Sequence, residues 1–227
     1  MNIFHEIIHV TERELDEYAP QVKKKYGSIL NSKHPGFGYY SWKPEIVETA
    51  LRVFPESGVI YVDAGCELNL NPISLKRFNE YLNLLEKTSM LTMALHTSIF
   101  DNTSDEVLEF FAISKNQSKT TKMNQSGIIF MINNDKTKEL LREWADTAIN
   151  NPSLFRSSAT KFEDSTEFRT GRHDQSILSC LMLKRGFQGI PDETYFGPDW
   201  NGKSFEYPIW ALRNARLRSR IRSGDAD

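Results

Sequence analysis

The sequence predicts an α/β fold: a single domain in which a mostly parallel mixed sheet is flanked by helices. Short runs rich in β-branched and aromatic residues alternate with helical runs, which is typical of βα units. A length of 227 residues suits one domain of generous size. A hydrophobic fraction of 39% supplies enough apolar side chains to bury a core, which excludes a disordered chain.

Apolar periodicity and capping residues place the elements in the first half of the chain. Thr11 and Glu14 have the spacing of a capping box, and the proline after Lys43 suits a first helical turn. The predicted elements are a strand over 3–10, a helix over 11–26 that Pro20 interrupts, a loop over 34–40, a helix over 43–53, a buried strand over 58–62 and a helix over 71–85.

The second half continues the alternation of strands and helices. The predicted elements are a strand over 90–95, a short helix over 104–111, a strand over 127–132, an amphipathic helix over 136–149, a helix over 172–184, a short strand over 187–190 and a loop over 191–207. This pattern predicts one α/β domain over residues 1–212 and a basic tail over residues 213–227.

Charge and composition limit the classes of function. The net charge of −2 argues against a general nucleic-acid binder, so no nucleic-acid partner is expected. Two cysteines cannot form a disulfide framework and fit a reducing compartment. No apolar run reaches the roughly 18 residues of a membrane helix, and the first twenty residues do not resemble a signal peptide. These observations predict a cytoplasmic protein.

The tail over 213–227 is rich in arginine, in contrast to the acidic remainder of the chain. It is either a solvated end or an electrostatic contact with an anionic membrane or an acidic partner. The second interpretation predicts a peripheral position at the inner face of the plasma membrane.

A carboxylate follows the predicted buried strand over 58–62. Asp63 ends that strand, and the small residues Ala64 and Gly65 leave room beside it. Because carboxylate oxygens are the ligands that Mg²⁺ and Mn²⁺ prefer, Asp63 and Glu67 are candidate ligands of a divalent cation. The alternative is that Asp63 caps a turn and Glu67 is solvated.

Four polar residues precede the apolar face of the helix over 172–184. Asp174 in that position could simply cap the helix. A run of four polar side chains is more than a cap requires, so His173, Asp174 and Gln175 are candidate catalytic residues.

Two other segments carry candidate ligand-binding residues. Glycines permit close backbone approach, aromatic rings stack on sugars or bases, an ammonium can meet a phosphate, and amides can bind a hydroxyl-rich ligand. Packing of the aromatic rings against the sheet is the alternative. The candidates are Gly36, Gly38, Trp42, Lys43, Asn124, Gln125 and Gly127.

The order of four segments, GFGYYSWKP, IYVDAGCELN, NQSGIIF and RHDQSILS, resembles bacterial glycosyltransferase-like proteins of the GT-A fold, a Rossmann-like fold. These proteins use sugar nucleotides and are associated with surface polysaccharide and lipopolysaccharide. The resemblance covers residues 37 to 187 and is most specific in the WKP, DAGC and HDQS segments.

The resemblance implies roles for the candidate residues. Asp63 corresponds to the aspartate of a DxD-like motif, which holds a divalent cation on the donor diphosphate, and Glu67 would substitute for the second acid, because Gly65 stands in its place. The segment over 124–127 lines the donor-sugar pocket. Asp174 and Gln175 lie beside the acceptor, with His173 next to them.

The resemblance also implies a function. It predicts transfer of a sugar from a nucleotide-sugar donor to a glycan or lipid-linked acceptor, in surface polysaccharide synthesis. The strand over 3–10 corresponds to the second strand of the family, so the first βα unit is expected to be missing. The alternative function is that of a non-catalytic relative or fragment that binds a glycan or a protein partner.

Overall fold

A computed structural model describes residues 3–27, 29–31, 33–156, 159–161, 168–196 and 202–212. The predicted basic tail over 213–227, with its proposed membrane contact, lies outside the described residues. Within the described ranges, every helix is too short or too polar to cross a lipid bilayer.

The described helices range from one turn to more than four turns. They are α1 (Leu15–Tyr18), α2 (Gln21–Tyr26), α3 (Gly36–Tyr39), α4 (Lys43–Val53), α5 (Pro72–Thr88), α6 (Asp105–Phe110), α7 (Lys115–Thr120), α8 (Asp135–Asn150) and α9 (His173–Arg185). Short 3₁₀ turns cover Phe100–Asn102, Pro152–Phe155 and Lys203–Glu206.

The described strands are short and belong to several small sheets. They are β1 (Val59–Val62), β2 (Glu67–Leu68), β3 (Met90–Leu91), β4 (Met93–Ser98), β5 (Lys122–Asn124), β6 (Ile128–Met131), β7 (Ala159–Lys161), β8 (Phe168–Thr170), β9 (Ile190–Pro191) and β10 (Ile209–Trp210). The sheet orders are β1-β6-β3, β5-β4-β9, β10-β2 and β7-β8. The fold is therefore a mixed α/β arrangement of helices and small sheets.

The prediction of a mostly parallel sheet is wrong. Among the described strands, only β4 and β9 pair in parallel, and every other pairing is antiparallel. The prediction rests on the alternation of strands and helices, which is typical of βα units but does not fix the direction in which each strand pairs. The strand β6 is apolar along its whole length. A continuous apolar strand is typical of a sheet covered on both faces, and most such sheets are parallel. Here both faces are covered although the neighbours of β6 run antiparallel to it.

Alternate residues of β6 point to opposite faces of the sheet. Ile128 and Phe130 pack in one hydrophobic cluster, together with residues of α5 such as Tyr81. Ile129 and Met131 pack in a second cluster, together with residues of α4 and α8 such as Trp144. The sheet β1-β6-β3 is thus enclosed between α5 on one side and α4 and α8 on the other.

The start of the chain differs from the prediction. Residues 3–10 form no strand, and the predicted helix over 11–26 is divided into α1 and α2 at Pro20. Apolar and polar residues do not alternate strictly over 3–10, and Ile7 and Ile8 are exposed, so no sheet face is available to that segment.

Candidate functional site

Four separate segments of the chain meet at the ammonium group of Lys43. Lys43 lies in the first turn of α4, and its side chain is only 1% exposed. Its Nζ lies 2.9 Å from Oδ2 of Asp174 in α9 and 3.1 Å from Oδ1 of Asp63, which follows β1. Nζ also donates a hydrogen bond to the backbone oxygen of Ser126, just before β6, at 3.1 Å.

Two tyrosines complete the surroundings of this ammonium. The hydroxyl of Tyr61 donates a hydrogen bond of 2.7 Å to Oδ1 of Asp63. The rings of Tyr40 and Tyr61 lie 4.7 Å and 5.4 Å from Nζ, within the range of cation–π attraction. We call Lys43, Tyr61, Asp63, Ser126 and Asp174 the Lys43 cluster.

The backbone ladder between β1 and β6 fixes Asp63. Its amide donates to the carbonyl of Gly127 at 2.8 Å, which extends the antiparallel pairing by one residue. A Cβ atom at Gly127 would lie 2.7 Å from Oδ2 of Asp63. A residue without a side chain is therefore needed at position 127 for the Asp63 carboxylate to occupy this place.

Burial and charge act in opposite directions on the ionisable groups of the cluster. Burial lowers the pKa of Lys43, but the carboxylates of Asp174 and Asp63 outweigh it and hold that pKa above its ordinary value. Burial raises the pKa of Asp174, and Lys43 offsets only part of this rise. Burial, followed by the charge of Asp63, raises the pKa of Tyr61, so its hydroxyl remains a donor.

The two carboxylates differ in their access to solvent. The side chain of Asp63 is 38% exposed, whereas that of Asp174 is 4% exposed. Asp63 is therefore the carboxylate that the cluster presents to a ligand, and Asp174 lies behind Lys43.

The segment before Lys43 has an unusual backbone. Residues 36–40 all have positive φ, from +52° to +97°, and so form a left-handed turn. Gly36 is required there, because a Cβ atom would overlap the ring of Tyr40 at 2.3 Å. His173, at the start of α9, also has positive φ, and its ring lies 5.3 Å from that of Tyr39. L-residues in this region carry strain of about 1–3 kcal/mol each, and strained residues often cluster at functional sites.

The remaining candidates of the GFGYYSWKP and HDQS segments surround the cluster. Trp42 donates from Nε1 to the carbonyl of Gly36 at 2.9 Å, and Gly38 packs against the backbone near Ile29. Nδ1 of His173 lies 2.8 Å from the carbonyl oxygen of Phe155. The roles predicted for these residues in donor binding and catalysis remain predictions.

Gln175 differs from its neighbours in α9. Its side chain is half-buried, and within the described part of the structure Nε2 is a buried donor without a hydrogen-bond acceptor. Gln175 follows Asp174 in α9, and none of its described hydrogen bonds reaches Lys43.

The described hydrogen bonds of Asn124 and Gln125 do not involve Lys43. Asn124 is buried in β5, with its side-chain oxygen over Gly189. Gln125 donates from Nε2 to Thr194 at 2.9 Å and to Asp192 at 3.1 Å. Within the segment over 124–127, the contacts to the cluster therefore come from the serine and the glycine.

The residues do not fit the divalent cation expected at Asp63 and Glu67. Oδ1 of Asp63 already binds an ammonium and a hydroxyl, and Glu67 lies in β2, paired with Trp210 of β10. No group of three or more His, Cys, Asp or Glu side chains in the described ranges is arranged to hold a metal ion. Ala64 and Gly65 are exposed in the turn after Asp63. The backbone amide of Cys66 closes this turn by donating a hydrogen bond of 2.8 Å to the carbonyl of Asp63.

Sequence reasoning missed Tyr61, Tyr40 and Ser126 as members of the site or its surroundings. A signal existed for Tyr61, because residues two apart on a strand share a face and Asp63 follows β1 directly. Ser126 lies inside the segment over 124–127, of which only Asn124, Gln125 and Gly127 were predicted as ligand-binding residues. Tyr40 faces Lys43 only because of the left-handed turn, which no periodicity indicates.

Two surface cavities lie away from the Lys43 cluster. One, of about 440 Å³, is lined by charged side chains of α8 and α9 that include Glu143 and Arg185. The other, of about 400 Å³, lies beside the ion pair of Arg77 and Glu193. Neither cavity is lined by a member of the cluster.

No family model matches the chain, and no curated protein matches it. A solved structure similar to this chain is the crystal structure of mouse xyloside xylosyltransferase 1 in its apo form. The alignment covers 92% of this chain and 75% of that chain, with 13% sequence identity and a TM-score of 0.48. At this score and identity the similarity establishes neither a shared family nor a shared activity, so the bacterial family indicated by the sequence remains a prediction.

Proposed function

We propose that the protein is a glycosyltransferase of GT-A-like fold that moves a sugar from a nucleotide-sugar donor to a hydroxyl group of a glycan or lipid-linked acceptor. The observation that supports this proposal is the convergence on Lys43. The WKP segment supplies the ammonium group, and the DAGC, NQSG and HDQS segments, all far apart in the sequence, each contribute an oxygen within about hydrogen-bond distance of it.

The two carboxylates suit different parts of this chemistry. Asp63, half-exposed, can accept hydrogen bonds from sugar hydroxyls, because its second oxygen is outside the hydrogen bond with Tyr61. Burial raises the pKa of Asp174, so its carboxylate holds a proton more readily than that of a solvated aspartate. We propose Asp174 as the group that takes the proton of the attacking hydroxyl. Gln175 would donate a hydrogen bond to the sugar-accepting substrate.

One observation favours a second candidate, a protein of the same fold that binds a glycan without turnover. Lys43 and Asp174 are both nearly inaccessible and pair with each other. A general base must reach the proton that it removes, so a permanently enclosed Asp174 would leave binding without catalysis.

A thermal-shift screen tests both candidates. Purified protein is heated with nucleoside diphosphates and with sugar nucleotides, and release of nucleoside diphosphate is measured in parallel. A ligand at about 100 times its dissociation constant adds about 2.7 kcal/mol to the free energy of unfolding, which such a screen resolves. Asp63→Asn removes the exposed charge of the cluster. Asp16→Asn is the matched control, because Asp16 is also half-exposed and also pairs with a lysine.

The proposal expects a shift with one sugar nucleotide, accompanied by release of the diphosphate, that Asp63→Asn abolishes and Asp16→Asn retains. A shift without release favours the binding protein. No shift with any nucleotide, from a sample with a cooperative melting transition, contradicts the transferase.

A further inference from the structure

We infer that the ammonium of Lys43 occupies the role of a divalent cation at Asp63, so that ligand binding at this site requires neither Mg²⁺ nor Mn²⁺. The identity of the ligand rests on the proposed function. The absence of a metal requirement rests on the geometry of the Lys43 cluster alone.

Two groups of the protein already bind Oδ1 of Asp63. This oxygen accepts from Tyr61 at 2.7 Å and pairs with Lys43 at 3.1 Å. Mg²⁺ binds carboxylate oxygens at about 2.0–2.1 Å in a nearly ideal octahedron. A cation on Oδ1 would therefore have to displace the hydroxyl of Tyr61, which β1 holds, and the ammonium of Lys43, which α4 holds.

Oδ2 of Asp63 lies beside Gly127, in the space that a side chain at position 127 would take, since a Cβ atom there would lie only 2.7 Å from it. Bidentate binding of a cation by Asp63 would need both oxygens to face the same open space. With Oδ1 engaged by Tyr61 and Lys43, Oδ2 is the single carboxylate oxygen of Asp63 that remains for a cation.

The side chain of Lys43 is buried, and its Nζ lies 3.1 Å from Oδ1 of Asp63 and 2.9 Å from Oδ2 of Asp174, so the protein itself places a cationic group between the two carboxylates. A divalent cation on Asp63 would stand a few ångströms from this ammonium, and like charges at that distance repel. The positive charge that a metal would supply to Asp63 is already present as part of the protein.

The consequence for substrate recognition is specific. One ammonium stands between two carboxylates, so the cluster as a whole is not cationic. Its exposed group, Asp63, would repel a bare diphosphate but accept hydrogen bonds from hydroxyl groups. We expect the sugar, rather than the diphosphate, of a bound nucleotide sugar to contact Asp63.

The test uses the spin of Mn²⁺ and needs no substrate. Electron paramagnetic resonance measures free Mn²⁺ during titration of the native protein and of Asp63→Asn. The inference expects the two titrations to coincide, whether or not weak sites exist elsewhere. A Mn²⁺ site that is present in the native protein and lost in Asp63→Asn overturns it.

A second variant tests whether the ammonium of Lys43 is what prevents Mn²⁺ from binding at Asp63. Lys43→Met removes the ammonium and leaves both carboxylates, so we expect Asp63 to gain Mn²⁺ binding in this variant. If Lys43→Met does not fold, the comparison of the native protein with Asp63→Asn still tests whether Asp63 binds Mn²⁺.

The thermal-shift screen supplies the remaining arm, with each nucleotide sugar measured in EDTA and in Mn²⁺. Equal shifts support the inference, and a shift that appears only with Mn²⁺ overturns it. No shift in either condition contradicts the proposed function instead, while the Mn²⁺ titration continues to test the inference. Failure of one claim is thereby distinguished from failure of the other.

Discussion

A buried ammonium is stable only where carboxylates and hydrogen-bond acceptors surround it, and Lys43 meets both conditions. The converse holds for Asp174, which is nearly as inaccessible and whose ion pair with Lys43 is its main compensation. At the scale of single residues, these two side chains therefore depend on each other more than either depends on solvent.

We predict that Lys43→Met destabilises the protein by about 3–5 kcal/mol at neutral pH, because Asp174 is left as an uncompensated buried charge. Without the ammonium, the pKa of Asp174 in the folded state rises further above its value in the unfolded chain. A raised folded-state pKa means that the deficit is complete above that pKa and shrinks as the pH falls through it. Urea denaturation at several pH values measures the difference from the native protein.

The double variant Lys43→Met, Asp174→Asn is the control, since it removes both charges together. We expect it to regain a large part of the lost stability at neutral pH and to lose the additional pH dependence. A double variant less stable than Lys43→Met alone would show that the ion pair is not what connects the two side chains.

A second residue-scale prediction concerns Gly127. Gly127→Ala places a methyl group 2.7 Å from Oδ2 of Asp63, and the half-exposed carboxylate must rotate away. We expect the nucleotide-sugar thermal shift to be lost while the melting temperature without ligand changes little. The measurement is the same screen with and without ligand.

Gly58→Ala is the matched control for this variant. A Cβ atom at Gly58 meets only ordinary van der Waals neighbours, the nearest at 3.5 Å. The control should retain the ligand shift. Equal loss in both alanine variants would mean that the sheet, and not the Asp63 carboxylate, had been disturbed.

At the scale of elements, the sequence predicted where helices and strands lie better than how the strands pair. The helices α4, α5, α8 and α9 and the strands β1 and β6 are close to their predicted positions. Pairing direction was not readable, because the apolar run of β6 reports burial on both faces and carries no information about its neighbours.

The site was predictable in part for the same reason. Polar residues at element ends, such as Lys43, Asp63 and Asp174, are visible in the pattern. Their meeting at one ammonium depends on long-range packing. The left-handed turn over 36–40 depends on tertiary contacts as well, because phenylalanine and tyrosine do not favour positive φ on their own.

The beginning of α5 supplies an element-scale prediction. The side-chain oxygen of Asn71 accepts from the amides of Ile73 and Ser74, while its Nδ2 donates to the carbonyl of Phe205 at 2.8 Å. Asn71→Ala loses both functions and should cost about 1 kcal/mol of stability. Asn71→Asp keeps the cap, gains a favourable charge at the helix start and loses the donor.

Hydrogen exchange separates the two functions of Asn71. In Asn71→Ala we expect faster exchange both at the first turn of α5 and in the 3₁₀ turn Lys203–Glu206. In Asn71→Asp only the 3₁₀ turn should exchange faster. Protection of that turn in both variants would show that Asn71 does not hold it.

At the scale of the whole molecule, the two cysteines report on different parts of the structure. Neither is in a disulfide. Cys66 lies half-buried in the turn after Asp63, whereas Cys180 is completely buried in α9, among the side chains that pack against α8. Burial raises the pKa of the Cys180 thiol, so little of its reactive thiolate forms in the folded state.

We predict that a thiol reagent modifies one equivalent readily in the native protein and the second only when the molecule opens. Because Cys180 lies in the larger hydrophobic cluster, its exposure requires α9 to leave the core. The modification rate of Cys180 should therefore fall below that of an unfolded thiol by the equilibrium constant for opening, and urea should increase it in proportion to the unfolded population. In the variant Cys66→Ser only Cys180 remains to react. A thiol reagent that releases a coloured group on reaction measures the rate of its modification by absorbance. If Cys180 in that variant reacts in native buffer as fast as in urea, α9 does not belong to the cooperative core. The Lys43 cluster, to which α9 contributes Asp174, would then be assembled only part of the time.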